Sequence, residues 1–125
     1  MDAIATETAP AAIGPYSQAM RSGNLLFVSG QLPIDPSTGD FVPGDSVAQM
    51  RQCMANIAAI ATAAGTEISR TVKTTILVTD LSNFADLNAA YGESLSAPYP
   101  ARACYQVAAL PKGAQVEVEA VIELS

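Results

Sequence analysis

Arg102, Cys104, Glu117 and Glu119 are the residues of this chain whose types and spacing could do chemistry. In A-R-A-C-Y-Q-V (101–107), read as a strand, Arg102, Cys104 and Gln106 share one face and Ala103, Tyr105 and Val107 the other. Glu117 and Glu119 alternate in the same way through V-E-V-E-A-V-I-E-L (116–124). Suppose the two strands form a hairpin across L-P-K-G-A (110–114), with their apolar sets toward a helical layer. A register with Cys104 opposite Glu119 then gathers a cation, a thiol and carboxylates on one surface, facing away from the helices. A guanidinium grips the carboxylate of a small organic acid through two parallel hydrogen bonds and stays charged at every relevant pH. A carboxylate beside it can orient a water or take its proton. Together they point to hydrolysis of a small acidic substrate. The same residues also have a plain structural use, because Arg and Glu on facing strands form cross-strand ion pairs at a solvated surface. Cys104, with no base placed beside it, packs as a small hydrophobe, as does Cys53.

Other chemistries are excluded by absence. The 125 residues include no histidine, which removes the usual general base near neutral pH and the commonest metal ligand. Cys53 and Cys104 are far apart and form no C-x-x-C, so neither a zinc site nor a disulfide framework is expected. Six Lys and Arg against twelve Asp and Glu leave a net charge of −6 with no basic run, a surface that repels phosphate backbones; no nucleic-acid partner is expected. No uninterrupted apolar stretch of about 18 residues occurs, nor a basic-then-apolar leader, so a soluble, cytoplasmic protein without a membrane partner is expected. Half the residues are apolar and only 14% charged, enough for a core in a single domain over 1–125. A chain this short leaves much of that surface exposed, which favours self-association.

The elements that must position these residues follow from periodicity. A-P-A-A-I-G-P-Y (9–16) reads as an ordered loop ending at Tyr16. L-L-F-V-S (25–29) reads as a strand covered on both faces, with Ser29 closing it before Gly30. Residues 33–44 read as a hairpin or loop around D-P-S-T-G. Ser46 and Gln49 fit a capping box for a helix over 46–64, whose stripe is Val47, Met50, Met54, Ile57 and Ala61; Gly65 ends it in the left-handed conformation. A β-branched strand over 72–79 follows. A second helix starts near Ser82 and runs past Phe84, Leu87, Tyr91 and Leu95 until Pro98 and Pro100 stop it; Asn88 lies beside that stripe. The order β-β-α-β-α-β-β predicts an α+β two-layer sandwich, a mixed sheet with two helices on one face. Leu25–Val28, Leu77 and Val121 also put apolar side chains on the opposite face, where another subunit could cover them.

The stretches A-P-A-A-I-G-P-Y-S-Q-A (9–19), V-S-G-Q-L-P (28–33), V-K-T-T-I-L-V-T-D-L (72–81), F-A-D-L-N-A-A-Y (84–91), P-A-R-A-C-Y-Q-V-A-A-L-P (100–111) and V-E-V-E-A (116–120) closely resemble the RidA/YjgF family of reactive intermediate deaminases, in collinear order over nearly the whole chain. The resemblance implies a chorismate-mutase-like fold assembled as a homotrimer, its three sheets forming a central barrel with clefts between subunits. It also implies hydrolysis of enamine/imine intermediates (2-aminoacrylate/2-iminopropanoate and 2-aminocrotonate/2-iminobutanoate) to 2-keto acids and ammonia, without a cofactor or metal. Carried over by position, Arg102 matches the arginine that pairs with the substrate carboxylate. Glu117, with Glu119 as second choice, matches the acid associated with the attacking water. Cys104 matches a cysteine lining the cleft, and Tyr16, Ser29 and Asn88 match the remaining substrate-binding residues, some of them from a neighbouring subunit. A fixed arginine and a positioned water suffice, because a 2-imino acid is already electrophilic at carbon. The connection from Tyr91 to Arg102 is a few residues shorter than the family's usual one, which bears on the cleft mouth. The competing functions are a non-catalytic metabolite-binding or holdase chaperone trimer and an endoribonuclease.

Overall fold

The computed structural model describes residues 1–125. Helix α1 (Ser46–Ala63) forms because its apolar stripe finds a sheet to cover: Met50, Cys53, Met54, Ile57, Ile60 and Ala61 are buried, and the Cys53 thiol donates to the Val116 carbonyl. Its cap is Asp45 rather than Ser46, with Asp45 Oδ1 accepting from the Ala48 N–H at 3.1 Å. Two good capping residues stand side by side, and the charged one takes the site where the helix dipole favours an anion. Ser46 Oγ instead accepts from Asn83 Nδ2, and Gln49 Oε1 from the Gln115 N–H, so the capping-box pair ties α1 to its neighbours. Gly65 ends the helix at φ +83°, as its position predicts. Helix α2 (Phe84–Gly92) is shorter than its stripe predicts and stops well before the prolines.

Six strands build one sheet in the order β1-β2-β3-β6-β4-β5: β1 Asp2–Ile4, β2 Ala19–Ser22, β3 Leu25–Gln31, β4 Thr71–Val78, β5 Ala101–Gln106 and β6 Val116–Glu123. β6 keeps its alternation, with Val116, Val118, Ala120 and Ile122 buried toward the helices and Glu117, Glu119, Val121 and Glu123 on the open side. Being apolar toward the helices along its whole length, it lies between β3 and β4, antiparallel to both. The sheet is mixed and the helices share one face, the α+β architecture the element order predicts.

Three expectations are corrected. β5 and β6 are not a hairpin: β5 runs parallel to β4 at the sheet edge, with Arg102 opposite Thr74 and Cys104 opposite Ile76, while Glu119 faces Thr75. A parallel neighbour needs a long crossover, and residues 79–100 with α2 supply it. The second strand expected in 33–44 is reduced to a single bridge, Ile34 to Phe41, held by Asn56 Nδ2 donating to the Leu32 and Ile34 carbonyls. β1 and β2 were not expected at all. The loop over 9–16 is ordered without regular structure, fastened by the buried Gln18 side chain: its amide donates to the Thr6 and Pro10 carbonyls and its oxygen accepts from the Thr6 N–H. No helix is long and apolar enough to cross a membrane.

Candidate active site

Arg102 emerges from β5 toward α2, on the helix side of the sheet and not on the open side that strand alternation alone assigned to it. There it shares a narrow crevice with Met50, Ile76, Phe84, Leu87, Asn88 and Cys104. Phe84, Asn88 and Tyr91 stand at i, i+4 and i+7 of α2, so one helix face carries all three. The Arg102 guanidinium carbon lies 5.4 Å from the Phe84 ring centroid and 5.2 Å from that of Tyr91, and Nη1 donates to Asn88 Oδ1. Both rings attract the cation through their faces. The ion pairs of the molecule, Arg51–Glu93 and Arg70–Glu123, do not include Arg102, so its charge is held by rings and an amide with no carboxylate on it. Of its five N–H donors, only one is taken by a side chain. Beside it opens a cavity of about 710 Å³ lined by Asn88, Ala89, Tyr91, Gly92, Glu93, Tyr99, Pro100 and Arg102. The arrangement is a cationic pocket able to take a small carboxylate.

Cys104 follows Arg102 on the same face. Burial pushes its thiol above the usual value, against a smaller opposing pull from Arg102. A protonated thiol is a poor nucleophile, so the side chain lines the crevice without attacking.

Glu117 belongs to a second group, on the open face at the start of β6. Its carboxylate rests on the backbone of Gly30, where a β-carbon would come within 2.5 Å of Oε2. β3 shifts register between Val28 and Gln31, so Gly30 sits at a bulge and lets the carboxylate approach. Burial pushes the Glu117 carboxyl above its usual value, and the Glu119 charge adds to the rise. Ser29 is spent on structure: its Oγ donates to the Ser17 carbonyl and its N–H to the Gln18 carbonyl, which ties β3 to the segment that carries Tyr16. Tyr16 is 52% exposed at the end of that loop.

The expected residues thus divide into two groups. Arg102 lies opposite Thr74 and Glu117 opposite Leu77 on the same strand. Three residues of roughly 3.3 Å and two strand spacings of roughly 4.8 Å separate their backbones by about 14 Å, with side chains on opposite faces. Asn88 and Cys104 join Arg102; Ser29, next to Gly30, joins Glu117, and Tyr16, one residue before the Ser17 carbonyl that Ser29 binds, lines a hollow with Ile4, Thr6, Ala12 and Gln18. The surface carrying Arg102, Cys104 and Glu119 together, expected from the hairpin register, does not exist within one chain. The ring platform under Arg102, the Tyr99 wall and Gly30 were not anticipated; the 84/88/91 spacing was the available signal for the platform. No three His, Cys, Asp or Glu side chains converge as a metal site.

The model of the family described as Endoribonuclease L-PSP matches residues 6–124. RutC family protein y4sK of Sinorhizobium fredii is 62% identical over 125 residues, 100% of this chain and 99% of that protein. The 2-iminobutanoate/2-iminopropanoate deaminase of Escherichia coli is 50% identical over 121 residues, 94% of each. The crystal structure of RidA from the Antarctic bacterium Psychrobacter superposes with a TM-score of 0.94 at 49% identity, covering 98% of this chain and 99% of that one. A family match over nearly every residue, joined to half-identical relatives and a shared fold, places this chain in the RidA/YjgF family, the one also described as Endoribonuclease L-PSP.

Proposed function

We propose that this protein hydrolyses small 2-imino acids and their enamine tautomers, 2-aminoacrylate/2-iminopropanoate and 2-aminocrotonate/2-iminobutanoate, to the 2-keto acid and ammonia. The observation that carries this is Arg102: a guanidinium fixed by Asn88 and two rings, free of any carboxylate, at the wall of a cavity. The half-identical deaminase relative supplies the substrate class.

Arg102 pairs with the substrate carboxylate and so fixes the C=N carbon. Water adds to that carbon while Glu117 takes one of its protons and passes it to the nitrogen; the hydroxyl proton then follows by way of the same carboxylate as the C–N bond breaks, so the nitrogen leaves as ammonia and the oxygen becomes the keto oxygen. A carboxyl raised by burial is a stronger base than an ordinary one. Cys104 and Asn88 frame the site, and Tyr16 closes it. The reaction draws on no metal or cofactor.

Both Arg102 and Glu117 must reach a molecule of three or four carbons, and about 14 Å of sheet separates them in one chain. We therefore assign the complete site to a homotrimer, with open faces turned inward as a barrel and each cleft built from two subunits. The test generates 2-aminoacrylate with a pyridoxal-phosphate-dependent dehydratase in the cuvette and follows pyruvate. The protein should accelerate it, and Arg102→Ala should remove the acceleration; an undiminished rate overturns the assignment. The family's description as an endoribonuclease favours ribonuclease activity instead, but a net charge of −6 and the absence of histidine oppose it. RNA cleavage by pure protein, lost in Arg102→Ala, would reverse that judgement.

A further inference from the structure

Thr74 is 1% exposed on the helix-facing side of β4, in line with Ile76 and Val78. A valine of the same shape would suit that apolar row better, because a buried hydroxyl is costly unless it is hydrogen-bonded. The hydroxyl does have a partner: Thr74 Oγ1 lies 2.7 Å from the Tyr91 hydroxyl, in the buried interior. Two further relations make the pair more than packing. In the parallel register Thr74 stands opposite Arg102 itself, and the Tyr91 ring lies under the guanidinium. One hydroxyl pair therefore links the strand position beside the root of the arginine to the ring on which its head rests.

We propose that Thr74 is a positioning residue for the carboxylate-binding site: its hydroxyl fixes the Tyr91 ring, and that ring, with Phe84 and Asn88, fixes the plane in which Arg102 offers its donors to the cavity. A long, rotamer-rich side chain loses freedom when it captures a ligand, and a platform that removes this freedom in the folded protein leaves more of the interaction as affinity. The proposal rests on the reading of Arg102 as the carboxylate binder. It also specifies how the effect divides. The arginine holds the carboxylate in both bound substrate and transition state, so loosening it weakens both alike.

The test uses Thr74→Val, which keeps the shape and removes the hydroxyl, with Thr74→Ser as the rescuing variant. For imine hydrolysis, Thr74→Val should raise KM roughly tenfold with kcat within about twofold, the split that marks loss of uniform binding. Pyruvate binding measured by calorimetry should weaken by a similar factor. The Arg102 Nε–H resonance, assigned by its disappearance in Arg102→Ala, should broaden through faster solvent exchange and motion. Thr74→Ser should return all three. Tyr91→Phe removes the other half of the pair and should reproduce the signature, which keeps the test open if Thr74→Val does not fold. A purely structural Thr74 would lower the melting temperature while KM, pyruvate affinity and the resonance stay put, and that result overturns the proposal. Because the resonance needs no substrate, its broadening in Thr74→Val of a protein whose wild type has no deaminase activity would defeat the deaminase assignment and support the positioning role.

Discussion

The two carboxylates of β6 differ although they stand two residues apart on one face. Glu117 is half-buried against Gly30, and both burial and the neighbouring Glu119 charge favour its protonated form. If Glu117 is the base, the acidic limb of the kcat/KM profile lies above the ordinary carboxyl value of 4.5. Glu119→Gln should move that limb down but not abolish the shift, since burial, the larger cause, remains; an unmoved limb would detach the profile from this pair. Stability carries the same sign. A carboxyl whose folded pKa is raised contributes stability that is fully present below its unfolded pKa and lost as pH rises through the folded value. Glu117→Gln, neutral throughout, should therefore be more stable than the parent at neutral pH in urea titrations, with the advantage closing as pH falls toward 4.5. Its turnover should fall by roughly 10² to 10⁴, the usual worth of a general base. At the other group, Arg102→Lys keeps the charge and loses the fork that matches a carboxylate, so kcat/KM should drop about 10- to 100-fold.

At the scale of elements, the bulge of β3 is what admits the carboxylate. Gly30 has no left-handed backbone requirement, so alanine is opposed only by the Glu117 side chain, 2.5 Å from the added carbon. Gly30→Ala should push the carboxylate aside, destabilise by about 1–2 kcal/mol and cut turnover; adding Glu117→Ala should return the stability but not the turnover, a coupling that a double-mutant cycle in urea resolves. Much of this framework was legible in the sequence. The Met50–Ala61 stripe, Gly65 and the β6 alternation are repeated signals long enough to be unambiguous. β1 and β2 span three and four residues, too few for periodicity to register. Alternation also tells which residues of β5 share a face without telling which face that is. Tyr105 looks apolar beside Arg102, yet it is 58% exposed, while the flat head of the arginine lies over Phe84 and Tyr91. The ring surface that reverses the assignment comes from another element, and strand periodicity carries no trace of it. Parallel pairing of β5 with β4 escaped for a related reason: proximity in sequence favours a hairpin, and only the sheet as a whole reveals that β6 fits the central slot.

For the whole molecule, the open face of the sheet holds Phe27, 46% exposed, with Leu77, Val121 and Tyr105 among Lys73, Glu117 and Glu119. A trimer that turns these faces inward would cover them, so Phe27→Glu should shift the sedimentation of the protein toward the monomer and remove imine hydrolysis while leaving its far-ultraviolet dichroism intact. The sharper test uses the two separated groups. Arg102→Ala and Glu117→Gln should each be nearly inactive alone. Unfolded together in equal amounts and refolded, subunits of the proposed trimer should mix, and a cleft that takes its arginine from one subunit and its glutamate from the next is then intact in about one quarter of cases. Activity should therefore recover to about a quarter of the wild-type value on mixing, although neither chain contains a working site. If both groups acted from the same chain, every site in the mixture would carry one lesion and nothing would recover. The opposite facing of Arg102 and Glu117 across a shared sheet favours the first outcome, because neither side chain can pass through the sheet to meet the other.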